Sequence, residues 1–225
     1  MLTDHHCHIL PGIDDGADCP ETSISMLAMM KAQGVERVVA TPHFYAHREK
    51  SVEDYLEKRQ RAFEKIRNDS PIKDIRLGAE VAVERGISEI PGIEKLAFEG
   101  TSLILMELPY AEYRPWMSEE IYNISAEYGL KIIMAHIHRY LDYTKKEDME
   151  SLLSGKAILQ INNEAFDTFR QRRFVRKLIK EDYPLVFGSD AHNLGKRRPD
   201  WDNALKRISA ELLEKSNKTL ERYLL

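Results

Sequence analysis

The chain has 225 residues, 43% of them hydrophobic and 31% charged, with a formal net charge of −4. That balance supplies a sizeable core and argues against disorder, and the mixed charges leave no basic stripe for nucleic acid. No apolar run approaches the ~18–20 residues of a bilayer span. The polar, histidine-rich N-terminus lacks a secretory pattern. With Cys7 and Cys19 the only cysteines, a disulfide framework is not expected and a cytoplasmic location is.

In chain order, short β-branched apolar runs alternate with longer amphipathic ones. Strands are expected at Leu2–Cys7, 37–41 (RVVAT), 75–81 (IRLGAEV), 103–108 (LILMEL), 131–136 (KIIMAH), 157–161 (AILQI) and 184–189 (PLVFGS). Helices are expected over 21–33, 52–68, 118–128, 145–153, 167–180 and 201–214. Pro20 and the pair Pro199–Asp200 supply start signals for the first and last of these. Repeated strand–helix alternation predicts an α/β fold with a parallel sheet, open or closed into a barrel. No linker or low-complexity tract interrupts the pattern, so one domain over residues 1–225 is expected.

Polar chemistry separates the two architectures. His6 and His8 close the first run, His43 follows the second, and Glu80, Glu107 and His136 end the next three. Asn162 and Asn163 follow the sixth run, and Asp190 and His192 the seventh. An open sheet gathers ligands at one switch point, whereas a TIM-like barrel carries active groups at the carboxyl end of nearly every strand. A distorted or incomplete barrel is therefore expected. In an extended strand His6 and His8 point the same way and can share an ion, while Cys7 faces the other side. Mixed imidazole and carboxylate suits Mn, Fe or Zn, and the donors exceed what one ion can use. The surplus predicts two or three bridged ions, of the kind that activates water and grips a phosphate ester.

The ordered motifs HCH, DDG, TPH, GAE, ELP, AHIHRY and SDAHN resemble the PHP (polymerase and histidinol phosphatase) superfamily. The opening TDHHCHILPGIDDG is similar to the metal-dependent tyrosine phosphatases of bacterial capsule and exopolysaccharide operons. The resemblance runs from Thr3 to about Arg198. It implies a distorted TIM-like (β/α)7 barrel, with His6, His8, Glu80 and Asp190 around a first ion. Glu80 would bridge to a second ion held by Glu107 and His136, and Asp15, His43 and His192 would hold a third. Mn2+ is the expected metal, with Fe or Zn as alternatives. Arg139 and Arg197 (or, shifted by one, Arg198) are implied to bind phosphate. The implied activity is hydrolysis of phosphotyrosine in the tail of a bacterial tyrosine autokinase; a small-molecule phosphoesterase such as a histidinol-phosphate phosphatase is the alternative. The chain departs from the usual pattern at His5, Phe44 and His138.

Several tempting residues have plainer readings. His5 is out of phase with its neighbours and suits packing or surface, and His47 suits a solvated loop. His138 lies beyond its strand and is not counted as a ligand, and of the adjacent aspartates the resemblance selects Asp15 over Asp14. Cys7 reads as a small buried hydrophobe and Glu84 as solvated. Asn162 suits either the active face or a loop cap. Tyr45, Tyr110, Tyr113 and Trp116 fall in loops after strand ends, where one or two of them could stack on a substrate ring. A cysteine nucleophile is ruled out, because an arginine six positions on is needed and Ile13 and Ser25 stand there. Water is the expected nucleophile.

Overall fold

Strands form where the apolar runs predict them, and all pair in parallel. The computed structural model describes residues 1–225 and contains β1 (Leu2–Cys7), β2 (Val35–Ala40), β3 (His43–Phe44), β4 (Asp74–Leu77), β5 (Glu80–Ala82), β6 (Leu103–Glu107), β7 (Lys131–Met134), β8 (Ile158–Asn162) and β9 (Leu185–Gly188). The strand order is β1-β2-β4 in one sheet and β3-β5-β6-β7-β8-β9 in the other. Backbone hydrogen bonds join the two. Gly78 N–H donates to Ala40 O and Glu80 N–H to Pro42 O, so β2 continues into β3 and β4 into β5. At the far edge Asp190 N–H donates to His6 O and His8 N–H to Ala191 O, which sets the end of β9 beside β1. The neighbours thus run in a circle, as a distorted (β/α)7 barrel requires.

The expected strand over 75–81 is broken, because Gly78 and Ala79 separate β4 from β5. The surrounding helices are α1 (Pro20–Ala32), α2 (Val52–Glu64), α3 (Pro115–Tyr128), α4 (Lys146–Ser154), α5 (Phe169–Lys180), α6 (Trp201–Leu205), α7 (Ala210–Asn217) and α8 (Thr219–Arg222). Ser51 and Thr168 cap α2 and α5 by accepting from Asp54 and Gln171 N–H. The expected helix over 201–214 divides into α6 and α7, because Ser209 caps a new start by accepting from Leu212 N–H. Between β5 and β6 no helix forms. Only the 3-10 turns Ile87–Glu89 and Ile93–Leu96 cover that side, each entered through a left-handed glycine.

Strand alternation divides the core into two layers. Val39, Leu103, Leu105, Ile133, Ile158 and Val186 pack with Phe98 and Leu220 as the barrel's inner plug. Their sequence neighbours Ile104, Met106, Ile132, Met134, Leu159 and Phe187 face the helices, against residues such as Leu27, Ile124 and Leu178. Two residues beyond the inner Leu105 lies Glu107, and two beyond Ile158 lies Gln160. The interior therefore changes from apolar to polar toward the carboxyl ends of the strands.

β1 reaches that polar end through a register slip. Asp4 pairs with Val38 and Cys7 with Ala40, so β1 carries one extra residue between them. Asp4 holds the irregular segment from below, accepting from Ser189 N–H at 2.9 Å and from Trp201 Nε1 at 2.8 Å. Opposite it, Gly188 leaves room for His6. A Cβ there would lie 2.7 Å from His6 Cβ and 2.8 Å from its backbone N. Gly188→Ala is expected to destabilise the fold by about 1–3 kcal/mol through overpacking, lowering the midpoint of thermal unfolding by several degrees. A calorimetric scan of the variant checks this, and an unchanged midpoint would contradict it.

Candidate active site

Strand ends carry the predicted ligand-type residues to one mouth. His6 and His8 turn their Nε2 atoms to within 3.2 Å of each other. Glu80 Oε2 lies 3.1 Å from both, and Asp190 Oδ1 lies 3.5 and 3.4 Å from them. The other Glu80 oxygen is 2.8 Å from His136 Nε2, which is also 3.3 Å from Glu107 Oε1. His43 approaches the same carboxylates through Nδ1, 3.2 Å from Glu80 and 3.7 Å from Glu107. Its Nε2 lies 3.5 Å from Asp15 Oδ1, and His192 Nε2 lies 3.4 Å from that atom. His6, His8, Asp15, His43, Glu80, Glu107, His136, Asp190 and His192 therefore converge on one place. Three groups within this cluster could each hold an ion: His6, His8, Glu80 and Asp190; His43, Glu80 and Glu107; and His8, Asp15, His43 and His192.

Spacing tests whether a divalent ion fits. Ligands about 2.0–2.2 Å from a common ion stand roughly 3.0–3.5 Å from one another. The His6, His8, Glu80 and Asp190 contacts fall in that range. The same groups make a poor hydrogen-bond network, since converging imidazole lone pairs and carboxylate oxygens share too few protons. His43 Nδ1 and His192 Nε2 are buried without a hydrogen-bond partner. This donor set suits a divalent cation.

Further groups hold the rings from behind. Asp14 Oδ2 sits 2.6 Å from His8 Nδ1 and accepts from His43 N–H, so the second aspartate of the pair orients rings rather than joining the cluster. Gly16 permits this turn, because a Cβ there would stand 2.3 Å from His8 O. Gln160 Oε1 meets His6 Nδ1 at 3.1 Å and accepts from His136 N–H at 2.6 Å. Asn162 donates to Asp190 Oδ2 at 2.9 Å, which places it on the active face. His136 and Asp190 adopt left-handed backbone with φ of 27° and 51°, a strain concentrated where the chemistry is.

The arginines flank Asp190. Arg139 Nη1 lies 2.8 Å from Asp190 Oδ2, and Arg197 Nη2 lies 3.1 Å from both Asp190 oxygens. Arg197 Nη1 also reaches Asp15 at 3.5 Å, whereas Arg198 turns to a neighbouring polar hollow. Together with the metal-type residues they border an open cavity of about 750 Å³, with Tyr45, Tyr110 and Tyr143 on its walls. Tyr110 stacks against His136 and its hydroxyl accepts from Arg139. Tyr113 and Trp116 are absent from the lining; the first bonds Ser118 and the second packs under Arg85.

Burial and neighbouring charge set the protonation. Burial disfavours the His136 imidazolium, but the Glu107 and Glu80 carboxylates outweigh it and raise the ring to about 9. His8 is likewise raised against its burial, by Asp14, Asp190 and Glu80. Burial and the nearby His8 push His192 down to about 3. Against the cost of burial, the histidines hold Glu80 well below the ordinary carboxylate range, and His6, His8 and Arg139 do the same for Asp190.

Of the remaining histidines, His5 is buried, hydrogen-bonded to Phe187 O, and pushed down to about 4 by burial, so it packs and is not at the surface. His47 is exposed and holds Glu84, so that carboxylate is half-buried and paired rather than simply solvated as its position suggests. His138 is buried beside Glu164, 3.5 Å away. Cys7 faces the outer core, its Sγ 3.5 Å from Val39 O. Gln160, Glu164 and Tyr143 were not singled out from sequence. The period-2 spacing from Ile158 could have found Gln160, but Glu164 and Tyr143 follow strands or turns with no motif around them.

The parallel barrel with imidazoles and carboxylates clustered at the carboxyl ends of its strands is a PHP-type, TIM-like fold. Residues 2–222 match the family model described as "Capsular polysaccharide synthesis, CpsB/CapC", and the chain belongs to that family. It is 29% identical over 242 residues to the tyrosine-protein phosphatase CpsB of Streptococcus pneumoniae, covering 97% of this chain and 94% of the relative. A structure from the pair YwqE of Bacillus subtilis and CpsB of S. pneumoniae, described as metal-dependent tyrosine phosphatases, superposes with a TM-score of 0.75 at 25% identity. That alignment covers 99% of this chain and 94% of the other. The histidinol phosphate phosphatase of Lactococcus lactis, solved with zinc, L-histidinol and phosphate, shares the fold at a TM-score of 0.55 and 16% identity, covering 96% and 93%.

A raised His136 gives the metal-free protein a distinctive pH response. With an unfolded value near ~6.5 and a folded one of about 9, its protonation stabilises the fold fully below pH ~6.5. That stability is lost as the pH rises through about 9. Thermal unfolding in chelator is expected to show a falling midpoint across this window, and His136→Asn to flatten it. Added divalent cation should displace the proton, so calorimetry at pH 7 should record proton release on binding.

Proposed function

We infer that this chain is a metal-dependent protein-tyrosine phosphatase. His6, His8, Asp15, His43, Glu80, Glu107, His136, Asp190 and His192 hold two or three divalent ions, with Mn2+ as the working metal. The observation that carries this reading is the 3.1–3.5 Å contact set joining His6, His8, Glu80 and Asp190 at the mouth of a barrel. The CpsB and YwqE relatives support the choice of phosphotyrosine. The substrate we favour is the phosphorylated tail of a bacterial tyrosine autokinase that governs capsular or exopolysaccharide synthesis. The enzyme would act in the cytoplasm; no helix is long and apolar enough to cross a membrane.

Ions bound here supply Lewis-acid polarisation of the phosphoryl oxygens and a water of lowered pKa. The chain's own residues do the rest. Arg139 and Arg197 offer guanidinium donors from beside Asp190, placed to grip phosphoryl oxygens as charge develops on them. Asp14 and Gln160 fix the rings of His8 and His6, so those nitrogens keep their aim without reorganising. A tyrosyl leaving group, with a pKa near ~10, needs little protonation, which suits a mouth without a dedicated acid. Burial pushes the Cys7 thiol up and its sulfur faces the outer core, so it takes no part. The open cavity with Tyr45 and Tyr110 on its walls admits an aryl phosphate carried on a peptide.

Turnover of p-nitrophenyl phosphate and of a phosphotyrosine peptide tests this. Chelation is expected to abolish both rates, and Mn2+ to restore them. Arg139→Ala and Arg197→Ala should each lower kcat/KM by roughly 10²–10³-fold with the metal content unchanged. Metal-independent turnover, or faster hydrolysis of histidinol phosphate than of the peptide, would contradict the reading.

A further inference from the structure

Gln160, Asn162 and Glu164 follow one another at every second position, and their side chains form one hydrogen-bonded ladder across the mouth. Gln160 Nε2 donates to Asn162 Oδ1 at 2.8 Å. Asn162 Nδ2 donates to Asp190 Oδ2 at 2.9 Å and to Glu164 Oε1 at 3.0 Å. The inner end of the ladder holds His6 and the His136 backbone. The outer end holds Arg139, whose Nε and Nη2 donate to Glu164 Oε1 at 2.9 and 2.5 Å.

This arrangement leaves Nη1 as the one corner of Arg139 that Glu164 does not hold. Nη1 touches Asp190 Oδ2 at 2.8 Å and Tyr110 Oη at 3.3 Å, while the Nε–Nη2 edge is occupied. An unrestrained guanidinium beside a buried carboxylate closes on it with two parallel hydrogen bonds. That closure would bind both Asp190 oxygens to Arg139 and turn the arginine away from an incoming phosphoryl group. Glu164 prevents it by holding the edge such a pair would need. It is well suited to the task, since His138 and Arg139 overcome its burial and keep it ionised, at about 2.

We propose that Glu164 is a positioning residue, which aims Arg139 Nη1 at the substrate phosphoryl group through the contacts of Arg139 Nε and Nη2. The proposal rests on the phosphatase reading for its meaning, but its test uses binding of inorganic phosphate, measured apart from turnover. A wild type inert on phosphotyrosine would therefore overturn that reading without altering the binding comparison.

The experiment measures phosphate affinity of the Mn2+-loaded protein by calorimetry for wild type, Glu164→Gln, Arg139→Ala and the double variant. Glu164→Gln keeps the shape and the Asn162 contact while removing the charge. It is expected to weaken phosphate binding by about 5–10-fold, with Arg139→Ala weaker still and the double variant no weaker than Arg139→Ala. Bound metal and the unfolding midpoint should match wild type in Glu164→Gln, and kcat should fall more than KM rises. Wild-type phosphate affinity in Glu164→Gln, additive losses in the double variant, loss of metal parallel to loss of affinity, or no phosphate binding by the wild type would each overturn the proposal.

Discussion

Buried charge is the constraint around which this molecule is built. Glu80 and Asp190 are almost completely withdrawn from solvent, as are His6, His8, His136 and His192 beside them. A carboxylate in such a place is costly unless other charges and hydrogen bonds compensate it. The fold answers with partners at every oxygen. Glu80 divides its two oxygens between His6, His8 and His43 on one side and His136 on the other. Asp190 is held by Arg139, Arg197 and Asn162. Compensation by imidazoles also brings lone pairs together, and that is the property a metallohydrolase needs.

The architecture keeps this costly cluster apart from the groups that stabilise the chain. The inner plug of Leu105, Ile133, Ile158 and Val186 fills the lower barrel, and the larger layer between strands and helices supplies most apolar burial. Polar residues begin one inward position higher, at Glu107 and Gln160. Two of the three non-glycine residues with left-handed backbone, His136 and Asp190, sit at that end as well, and the third, Asp182, lies in the turn before β9. The loops after β5 and β6, at Val83–Glu84 and Leu108–Tyr110, border the open mouth.

Much of this was legible in the sequence because it depends on period and position. Alternation in LILME and ILQIN, and a ligand-type residue at each strand end, are enough to place Glu80, Glu107, His136 and Asp190 on one face of a barrel. Other features arise only in three dimensions. The slip in β1, the break at Gly78 and the division of the final helix reflect backbone contacts made by distant residues. Asp14 and Asp15 are chemically alike; the resemblance selects Asp15, and the closeness of His8 Nδ1 to Asp14 and of His192 Nε2 to Asp15 supplies the physical reason for their separate tasks. Glu164 had no motif to mark it, since its partner Arg139 lies on a different turn 25 residues away. His5 takes the packing role, one of the two its phase suits, whereas Glu84 misled because solvation depends on what folds over a residue, which local pattern does not reveal.

The central claim is that these side chains gather to hold cations rather than merely to neutralise one another. Anomalous diffraction across the manganese edge, from catalytically competent crystals grown with Mn2+, tests it most directly. The account predicts strong peaks among His6, His8, Glu80 and Asp190 and on the Glu107–His136 side of Glu80. Active crystals with no anomalous density at the barrel mouth would contradict it.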